Sequence, residues 1–326
     1  MIRLAAMAAI LVLSVGNVSA QTAPGDTEWP SRPIRLIVPF PAGASTDIVA
    51  RIVAQKLGER PGQQIVIENR AGASGNLGAD AVAKAAPDGY TIGVATASTH
   101  TVAPNLNPNL PYDPIKDFKP ISLIGSAPYV LVVYPGVPAR NVAELISLAR
   151  SKPGALNYAT AGPASLAHLA SALFASMAGV DITHVPYKSS SQSVTDMVAG
   201  RIEMQFATIA PSLPLIRENK LRALATTGKK RLATLSDFPT LAEAGLSGYE
   251  ATLWFSFVAP AATPSSITER MNRAMTEVLN SAEIRNLLAA QGVEAESGPP
   301  EALTERIRTD IEKWRNVIAK VGIRTE

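Results

Sequence analysis

The stretch Val-Pro-Phe-Pro-Ala-Gly-Ala-Ser-Thr-Asp-Ile-Val occupies residues 38–49, and Tyr-Ala-Thr-Ala-Gly-Pro-Ala-Ser-Leu-Ala-His-Leu occupies residues 158–169. Each stretch has a β-like run, then Ala-Gly, then a small hydroxyl residue and an apolar helical pattern. The glycine, Gly43 or Gly162, permits a sharp turn and a close approach to a ligand. The pattern therefore predicts a strand, a tight turn and a helix at two places in one chain.

Both predicted helices start beside a small hydroxyl side chain. Ser45 or Thr46 stands at the expected N-cap position in the first stretch, and Ser165 does so in the second. A helix start presents free N–H groups and a partial positive charge, so it attracts an anion. Two such helix starts facing each other would suit a small molecule with carboxylate groups. An ordinary capped helix that binds no ligand is the alternative for each.

The rest of the chain alternates strands and helices. Strands are predicted at the apolar runs 34–38, 65–67 and 90–95, with helices between them, and a second alternating set follows residue 155. Such alternation is typical of parallel sheets covered by helices. Residues 101–120, rich in Pro and Asn, are predicted as loop, and residues 238–245 as a short helix that ends at a glycine.

Composition excludes several classes of function. The 326 residues include no cysteine, which excludes thiol catalysis and cysteine metal sites. The formal net charge is only +3, and the longest basic run is the short Lys229-Lys230-Arg231. The chain therefore lacks the extended basic patch that nucleic-acid binding requires. The histidines, His100, His168 and His184, lack metal-ligand spacing. No phosphate-binding glycine loop is present either, so we expect no metal and no cofactor.

Residues 1–20 have the pattern of an export signal. An arginine precedes an apolar run over residues 4–15, and Val18-Ser19-Ala20 is a cleavage site of small residues. The apolar run is shorter than the ~20 residues of a comfortable membrane span. We expect cleavage after Ala20 and a flexible polar segment over residues 21–28. An uncleaved anchor is the alternative.

An ordered set of short motifs resembles one known family. Each motif is weak alone, but together they run through essentially all of the mature chain in order. The motifs are Trp29-Pro30, Pro33-Ile34-Arg35, Val38-Pro39-Phe40, Ala42-Gly43, Thr46-Asp47, Glu68-Asn69-Arg70-Ala71-Gly72, Pro87-Asp88-Gly89-Tyr90-Thr91, Tyr112-Asp113-Pro114, Asp117-Phe118, Tyr158-Ala159-Thr160-Ala161-Gly162, His168-Leu169, Val185-Pro186-Tyr187-Lys188, Phe238-Pro239-Thr240-Leu241 and Glu243-Ala244-Gly245. The chain resembles the periplasmic substrate-binding proteins of tripartite tricarboxylate transporters, the Bug family.

The resemblance implies a two-lobed type II periplasmic binding protein fold of the α/β class, with two mixed or parallel sheets, covering helices and two hinge strands. Lobe 1 is expected to comprise residues 29–126 plus 252–326, and lobe 2 residues 127–251. The hinges are expected near residues 125–128 and 250–254. The family implies a monomer in the periplasm that captures a small organic carboxylate, delivers it to membrane permease subunits and catalyses no reaction.

The predicted ligand-binding residues lie in glycine-rich turns and after strand ends. They are Phe40, Ala42, Gly43, Ala44, Ser45, Thr46, Asp47, Arg70, Gly72, Ala73, Ser74, Thr96, Ser98, Thr99, Thr160, Ala161, Gly162, Ser165, His168, Tyr187 and Lys188.

Several of these candidates have a structural alternative. Asp47 is expected to support the first helical turn or the loop backbone and not to touch a carboxylate. Arg70 can pair with a ligand carboxylate, or with Glu68 as a structural ion pair. An uncharged, packed side chain is the expected state of His168, and Lys188 can simply face solvent. The hydroxyls on the predicted turns can bond a ligand or cap a turn.

The sequence leaves the ligand and two other functions open. Residues 41–45 and 189–191, and the loop at 207–211, depart from the family pattern at positions that face its cleft. Di- and tricarboxylates, acidic amino acids and aromatic acids all remain candidates. A periplasmic sensor would use the same fold. A secreted serine hydrolase is the alternative of another class, because Gly72-Ala73-Ser74-Gly75-Asn76 nearly matches a nucleophile elbow.

Overall fold

A computed structural model describes residues 29–59, 64–163, 165–188 and 190–323 of the chain. The predicted export signal and the segment that follows it, residues 1–28, lie outside the described residues. Within the described part, no helix combines the length and the apolar character that crossing a bilayer requires.

The described strands are β1 (Ile34–Val38), β2 (Ile65–Asn69), β3 (Thr91–Thr96), β4 (Phe118–Pro128), β5 (Val130–Val133), β6 (Asn157–Thr160), β7 (Thr183–Pro186), β8 (Met204–Ala207), β9 (Arg222–Thr226), β10 (Thr252–Pro260) and β11 (Glu294–Ala295). The described helices are α1 (Ser45–Gly58), α2 (Asn76–Ala83), α3 (Ala103–Leu106), α4 (Val142–Ser151), α5 (Leu166–Ala178), α6 (Ser190–Val198), α7 (Ile209–Arg217), α8 (Ser265–Asn280), α9 (Ala282–Ala290) and α10 (Pro300–Val321).

These strands form two separate sheets. Sheet A has the order β11-β4-β10-β3-β1-β2, and sheet B has the order β7-β6-β8-β5-β9. In sheet A, β1 runs parallel to β2 and β3, whereas β10 lies antiparallel between β3 and β4. In sheet B, β6 runs parallel to β7 and β8, and β5 is antiparallel to β8 and β9. Sheet B thus uses one continuous part of the chain, and sheet A uses the parts before and after it.

The apolar pattern of the first strand and helix explains their packing. All of β1 is buried except the half-buried Arg35. In α1 the side chains of Val49, Val53 and Leu57 recur every four residues and are fully buried, while Arg51 lies on the exposed face. This apolar face lets α1 pack against sheet A and against α8 and α9, which come from the end of the chain.

Two neighbouring segments carry the chain between the sheets. β4 ends at Pro128, which pairs with Thr252 at the start of β10, so the outgoing and returning segments lie side by side. The side chain of Thr227 joins them, because its Oγ1 accepts a hydrogen bond from the Tyr129 amide at 2.7 Å and donates one to the Ala251 carbonyl at 2.5 Å. This pairing holds the two crossings in a fixed relation.

Three local predictions were wrong. Residues 101–120 are not all loop, because a π-helical turn at Ser98–Val102 leads into α3. The N-cap of α1 is Ala44, with no side-chain cap bond, so Ser45 and Thr46 lie inside the first turn. Residues 241–245, predicted as part of a short helix, form hydrogen-bonded turns after an isolated bridge between Thr240 and Thr226. The predicted N-cap role of Ser165 is confirmed.

Candidate functional site

A small cavity lies where elements of the two sheets meet. It measures about 40 Å³, room for roughly three water molecules when each takes ~10–15 Å³ of such volume. Both repeats of the strand–turn–helix pattern reach it, the first through Ala44 to Thr46 and the second through Ala161 and Ser165. Its lining residues are Phe40, Ala44, Ser45, Thr46, Ser98, Tyr129, Ala161, Ser165, Ala167, Thr208 and Leu253.

The loop before α1 is held from behind by Asp47. Its side chain is almost fully buried and accepts hydrogen bonds from the Gly43 amide at 2.9 Å, Arg51 Nε at 2.9 Å and Asn69 Nδ2 at 2.8 Å. Burial alone would raise the pKa of Asp47, but these hydrogen bonds outweigh burial and hold the pKa below its usual value. Gly43 has φ +79°, a left-handed conformation that suits glycine. Asp47 therefore shapes the loop and does not line the cavity.

The first turn of α1 has unused hydrogen-bonding groups at the cavity. Among the described residues, none accepts a hydrogen bond from the amides of Ser45, Thr46 or Asp47. The hydroxyls of Ser45 and Thr46 also have no partner there, although both residues are buried and line the cavity. Amides at the start of a 14-residue helix combine N–H donors with the positive end of the helix dipole.

The start of α5 faces the cavity from the other sheet. Ser165 Oγ accepts from the His168 amide at 3.3 Å and donates to the Gly162 carbonyl at 2.8 Å. The next amide, that of Leu166, donates to Ser98 Oγ at 3.1 Å. Ser98 lies after β3 of sheet A, so this hydrogen bond joins the two halves of the molecule directly.

A third helix starts at the same cavity. Thr208 is the N-cap of α7, yet its side chain makes no capping hydrogen bond. Its Oγ1 is buried and has no partner among the described residues. Three helix N-termini therefore converge on one space, and none of the described residues that line it carries a charged side chain. Such an arrangement favours a small anion through amides and dipoles without a cationic side chain.

Several predicted residues shape the turns around the cavity and are not among its lining residues. The hydroxyls of Thr96 and Thr99 lie 3.2 Å apart and hold the turn after β3. Thr160 Oγ1 bonds both the amide and the carbonyl of Gly162, so it holds the second glycine turn. Ala42, Gly43, Asp47, Gly72 and Ala73 are likewise outside the lining residues.

The glycine-rich turn after β2 contacts the opposite half of the molecule. Gly72, Ala73, Ser74 and Gly75 all have positive φ, from +47° to +139°. L-residues rarely adopt this conformation because it is strained. Ser74 Oγ donates to the Pro163 carbonyl at 2.6 Å, a second hydrogen bond between the halves.

Arg70, Lys188 and Tyr187 do not line the cavity. Arg70 Nε lies 2.5 Å from Glu68 Oε1, and the Arg70 side chain is about half exposed, which matches the structural ion pair. Lys188 is exposed. Tyr187 is half-buried and its hydroxyl donates to Asp196 Oδ2 at 2.7 Å.

His168 is packed against a second histidine. Its ring stacks on that of His184, with centroids 4.2 Å apart and planes 8° apart. Burial and the neighbouring His184 lower the pKa of His168 to about 4, so the imidazole is neutral at pH 7. Among the described residues, no three His, Asp or Glu side chains group closely enough to hold a metal ion.

Four lining residues are absent from the predicted ligand-binding set, namely Tyr129, Ala167, Thr208 and Leu253, although Thr208 belongs to the loop 207–211 that the family resemblance places at the cleft. Thr208 directly follows β8, and side chains after strand ends are expected near the ligand in open α/β sheets. Tyr129 follows the first predicted hinge and Leu253 lies within the second, and neither hinge was predicted to contribute ligand-binding residues. The methyl side chain of Ala167 has no polar group that would distinguish it, in the sequence, from the other alanines of α5.

Two α/β sheets joined by paired crossings, with a cavity between them at the start of three helices, define the class of two-lobed substrate-binding proteins. A model of the tripartite tricarboxylate transporter family receptor, TctC, matches residues 49–323. The chain belongs to this family. The predicted recognition and fold class are therefore confirmed. The family consists of periplasmic receptors and not of enzymes, which excludes the alternative of a secreted serine hydrolase.

Relatives cover almost the whole chain. BugT of Bordetella pertussis (strain Tohama I) is 36% identical over 323 residues, which are 99% of this chain and 98% of BugT. The solved structure of R. palustris Rpa4515 with adipate is 38% identical, covers 91% of this chain and 99% of its own, and has a TM-score of 0.88. The solved structure of MatC (Rpa3494) from Rhodopseudomonas palustris with bound malate is 33% identical to this chain. The match covers 89% of this chain and 100% of MatC, with a TM-score of 0.84.

Proposed function

We propose that this receptor captures a small organic carboxylate in the cavity between its lobes and delivers it to the membrane permease subunits of a tripartite transporter. The observation that supports it most is the convergence of three helix N-termini on a cavity without charged lining residues. Solved relatives with adipate and with malate carry organic acids of this kind.

The electrostatics favour a carboxylate over a neutral or cationic ligand. Each helix start offers a carboxylate ~0.3–2 kcal/mol, and each charge-assisted hydrogen bond ~1.5–3 kcal/mol. A few of these, less the cost of ordering the ligand, reach the ~8 kcal/mol of micromolar binding. No cationic side chain is needed for this sum.

We propose that lobe 1 comprises residues 29–126 plus 252–326 and lobe 2 residues 127–251, a division that agrees with sheets A and B except at residues 127 and 128, which end β4 of sheet A. The lobes part to admit the ligand by rotation about the two crossings, near residues 125–128 and 250–254, and the ligand favours closure because it contacts both lobes only when they are shut. The hydrogen bonds from Ser74 and to Ser98 form only in the shut arrangement.

Binding of a carboxylate is tested by thermal-shift and calorimetric titration of the mature protein with adipate, malate and other acids. The uncharged diamides of the same acids serve as shape-matched controls. We expect acids to bind and their diamides not to bind. Failure of every acid in the screen would refute the proposal.

A charge placed in the cavity provides a second test. Ala161 lines the cavity. Ala161→Asp should abolish acid binding through repulsion, whereas Ala161→Asn has nearly the same shape and should retain far more affinity. Equal loss in both variants would show that volume, not charge, decides binding.

We also propose that the receptor is a monomer whose export signal is removed after Ala20. The exported protein should then begin at Gln21 on N-terminal sequencing. Its mass in solution, measured by light scattering, should be that of one chain.

A further inference from the structure

A contact outside the cavity also joins the two halves of the molecule. Ile209 is the first residue of α7 in the sheet B half and is only 1% exposed. It packs on Gly292, which lies in the turn between α9 and β11 of the sheet A half. A Cβ built on Gly292 would lie 2.6 Å from Ile209 Cγ2, 2.8 Å from its Cβ and 2.9 Å from its Cδ1. The isoleucine therefore occupies the space that any side chain at position 292 would fill.

Gly292 also ends α9, and that role alone would favour a glycine. Its φ is +74°, its amide donates to the Ala289 carbonyl at 2.9 Å, and the Val293 amide donates to the Leu288 carbonyl at 3.0 Å. This pair of hydrogen bonds defines a Schellman helix end, which needs a left-handed residue. Gly322 ends α10 at a similar φ of +71°, but a Cβ there would meet nothing within 4 Å. Only at Gly292 does the missing side chain also make room for the other half of the molecule.

The start of α7 is enclosed by two elements of the sheet A half. One is the turn at Gly292, and the other is α1, which packs against α7. The turn is fixed relative to sheet A, because β11 follows it and pairs with β4 at Gly125 and Ser126. These β4 residues belong to the first crossing between the sheets, so the Ile209 contact lies close to the axis of the proposed rotation. Close to an axis, a small displacement corresponds to a large change of angle.

A methyl group at position 292 could not be accommodated by a new rotamer of Ile209 alone. One of the three close atoms is the Ile209 Cβ, whose position is set by the backbone of α7. Because protein interiors are close-packed, α7 would have to withdraw from the turn as a unit. Its withdrawal would move the sheet B half away from α1 and widen the angle between the halves.

We infer that Gly292 is a positioning residue whose lack of a side chain lets Ile209 approach and so sets the angle to which the two halves shut. Neither residue is among those that line the cavity. The contact therefore changes the affinity for every ligand alike and not the choice between ligands. This inference rests on the proposed function, because the angle matters to binding only when the ligand is held between the halves.

The test compares Gly292→Ala with Gly322→Ala, and its probes are adipate, malate and succinate. Both variants place an alanine at a left-handed helix end, so both should lower the urea midpoint of unfolding by a similar amount. Gly292→Ala should also raise the calorimetric Kd of each acid that binds about tenfold, with the ratios between acids kept within about twofold. Gly322→Ala should leave every Kd unchanged.

Two further measurements separate the contact from strain in the backbone. With saturating acid, small-angle X-ray scattering should give a larger radius of gyration for Gly292→Ala than for the wild type or Gly322→Ala, because the halves stop short of full closure. Ile209→Ala removes two of the three close atoms. Gly292→Ala should therefore cost less affinity in an Ile209→Ala background than in the wild type.

The inference would be overturned, with carboxylate binding left standing, by a Kd in Gly292→Ala equal to that of the wild type or by a loss that differs strongly between acids. An unchanged radius of gyration, or an equal loss of affinity in the Ile209→Ala background, would overturn it in the same way. If the wild-type protein binds none of the three acids, the proposed function fails and this inference fails with it.

Discussion

Gly162 allows the sharpest test of closure, because an added methyl group there would meet the other half of the molecule. Gly162 has φ +107°, and a Cβ built on it would lie 3.0 Å from Ser74 Oγ. Ser74 Oγ in turn donates to the carbonyl of the next residue, Pro163, at 2.6 Å. Gly162→Ala thus adds backbone strain in every state of the protein, but adds the collision with Ser74 only when the halves are together.

The two effects have separate magnitudes. An L-residue in the left-handed region costs ~1–2 kcal/mol, which lowers the free energy of unfolding. The collision obliges Ser74 to move by a few tenths of an ångström and weakens its hydrogen bond, worth ~0.5–1.5 kcal/mol. Crowding adds a similar amount, so closure should lose about 1–2 kcal/mol, and the ligand Kd should rise about fivefold to thirtyfold.

Calorimetric titration with the best acid and denaturant unfolding measure the two effects independently. Gly179→Ala is the control, because Gly179 also has positive φ, +61°, but a Cβ there meets nothing within 4 Å. It should lower stability and leave Kd unchanged. Ser74→Ala removes the colliding atom, so Gly162→Ala should cost less affinity in a Ser74→Ala background.

An unchanged Kd in Gly162→Ala, with stability lowered as in Gly179→Ala, would refute the reasoning that these halves meet on binding. An affinity loss that persists in full in the Ser74→Ala background would show that the loss arises from strain in the glycine turn and not from contact with Ser74.

Three further changes test the surrounding framework. Asp47→Asn should lower the free energy of unfolding by about 2–3 kcal/mol at pH 7 in urea titrations, because charge-assisted hydrogen bonds are lost. Since the pKa of Asp47 is lowered on folding, its stabilisation is present above the unfolded pKa of about 3.9 and is lost as pH falls through the folded value, so variant and wild type should converge in acid. Arg70→Ala should change the calorimetric Kd less than twofold and stability by less than about 1 kcal/mol, because its pair with Glu68 is exposed. Burial lowers the pKa of His100 to about 3, so stability should fall as pH drops below about 6.5, by up to ~1.4 kcal/mol per pH unit from this group, and His100→Gln should flatten that slope in unfolding measured from pH 7 to 5.

Each of these has a clear opposing result. A large affinity loss in Arg70→Ala at unchanged stability would assign the guanidinium to the ligand. A constant gap between wild type and Asp47→Asn down to pH 3 would mean that the carboxylate is not held in its charged form. An unaltered pH slope in His100→Gln would mean that this imidazole does not set the acid sensitivity.

The parts of the site that depend on nearby residues were predictable from sequence. Local sequence predicts the glycine turns at Gly43 and Gly162 and the N-cap at Ser165, because the groups that form each of them lie within a few positions of one another. The alternative that pairs Arg70 with Glu68 is also local, because the two side chains leave the same strand end two residues apart. The predicted N-cap of α1, Ser45 or Thr46, lies one or two residues beyond the observed Ala44, because both hydroxyls of the Ala-Ser-Thr run are of the type that caps helices.

The parts that depend on distant pairing were not predictable. Tyr129 and Thr208 become neighbours only through the antiparallel register of β5 and β8, and nothing near either residue encodes that register. Ser74 was predicted to bind ligand, but its hydroxyl is engaged with Pro163, a contact 89 residues away in sequence. Its role in binding stays a prediction that the Ser74→Ala background addresses.

The placement of β10 has a consequence for how the chain acquires its structure. This strand lies in the interior of sheet A between β3 and β4, and Ser256 bonds to Ala95 from 161 residues away. Sheet B draws all its strands from one uninterrupted run, so it can assemble as soon as that run has left the export channel. Sheet A cannot be completed until β10, in the last third of the chain, is available. Pairing β10 with β3 closes a long loop, which is slow. Amides of sheet B should therefore gain protection from hydrogen exchange earlier during refolding than those of β3 and β4.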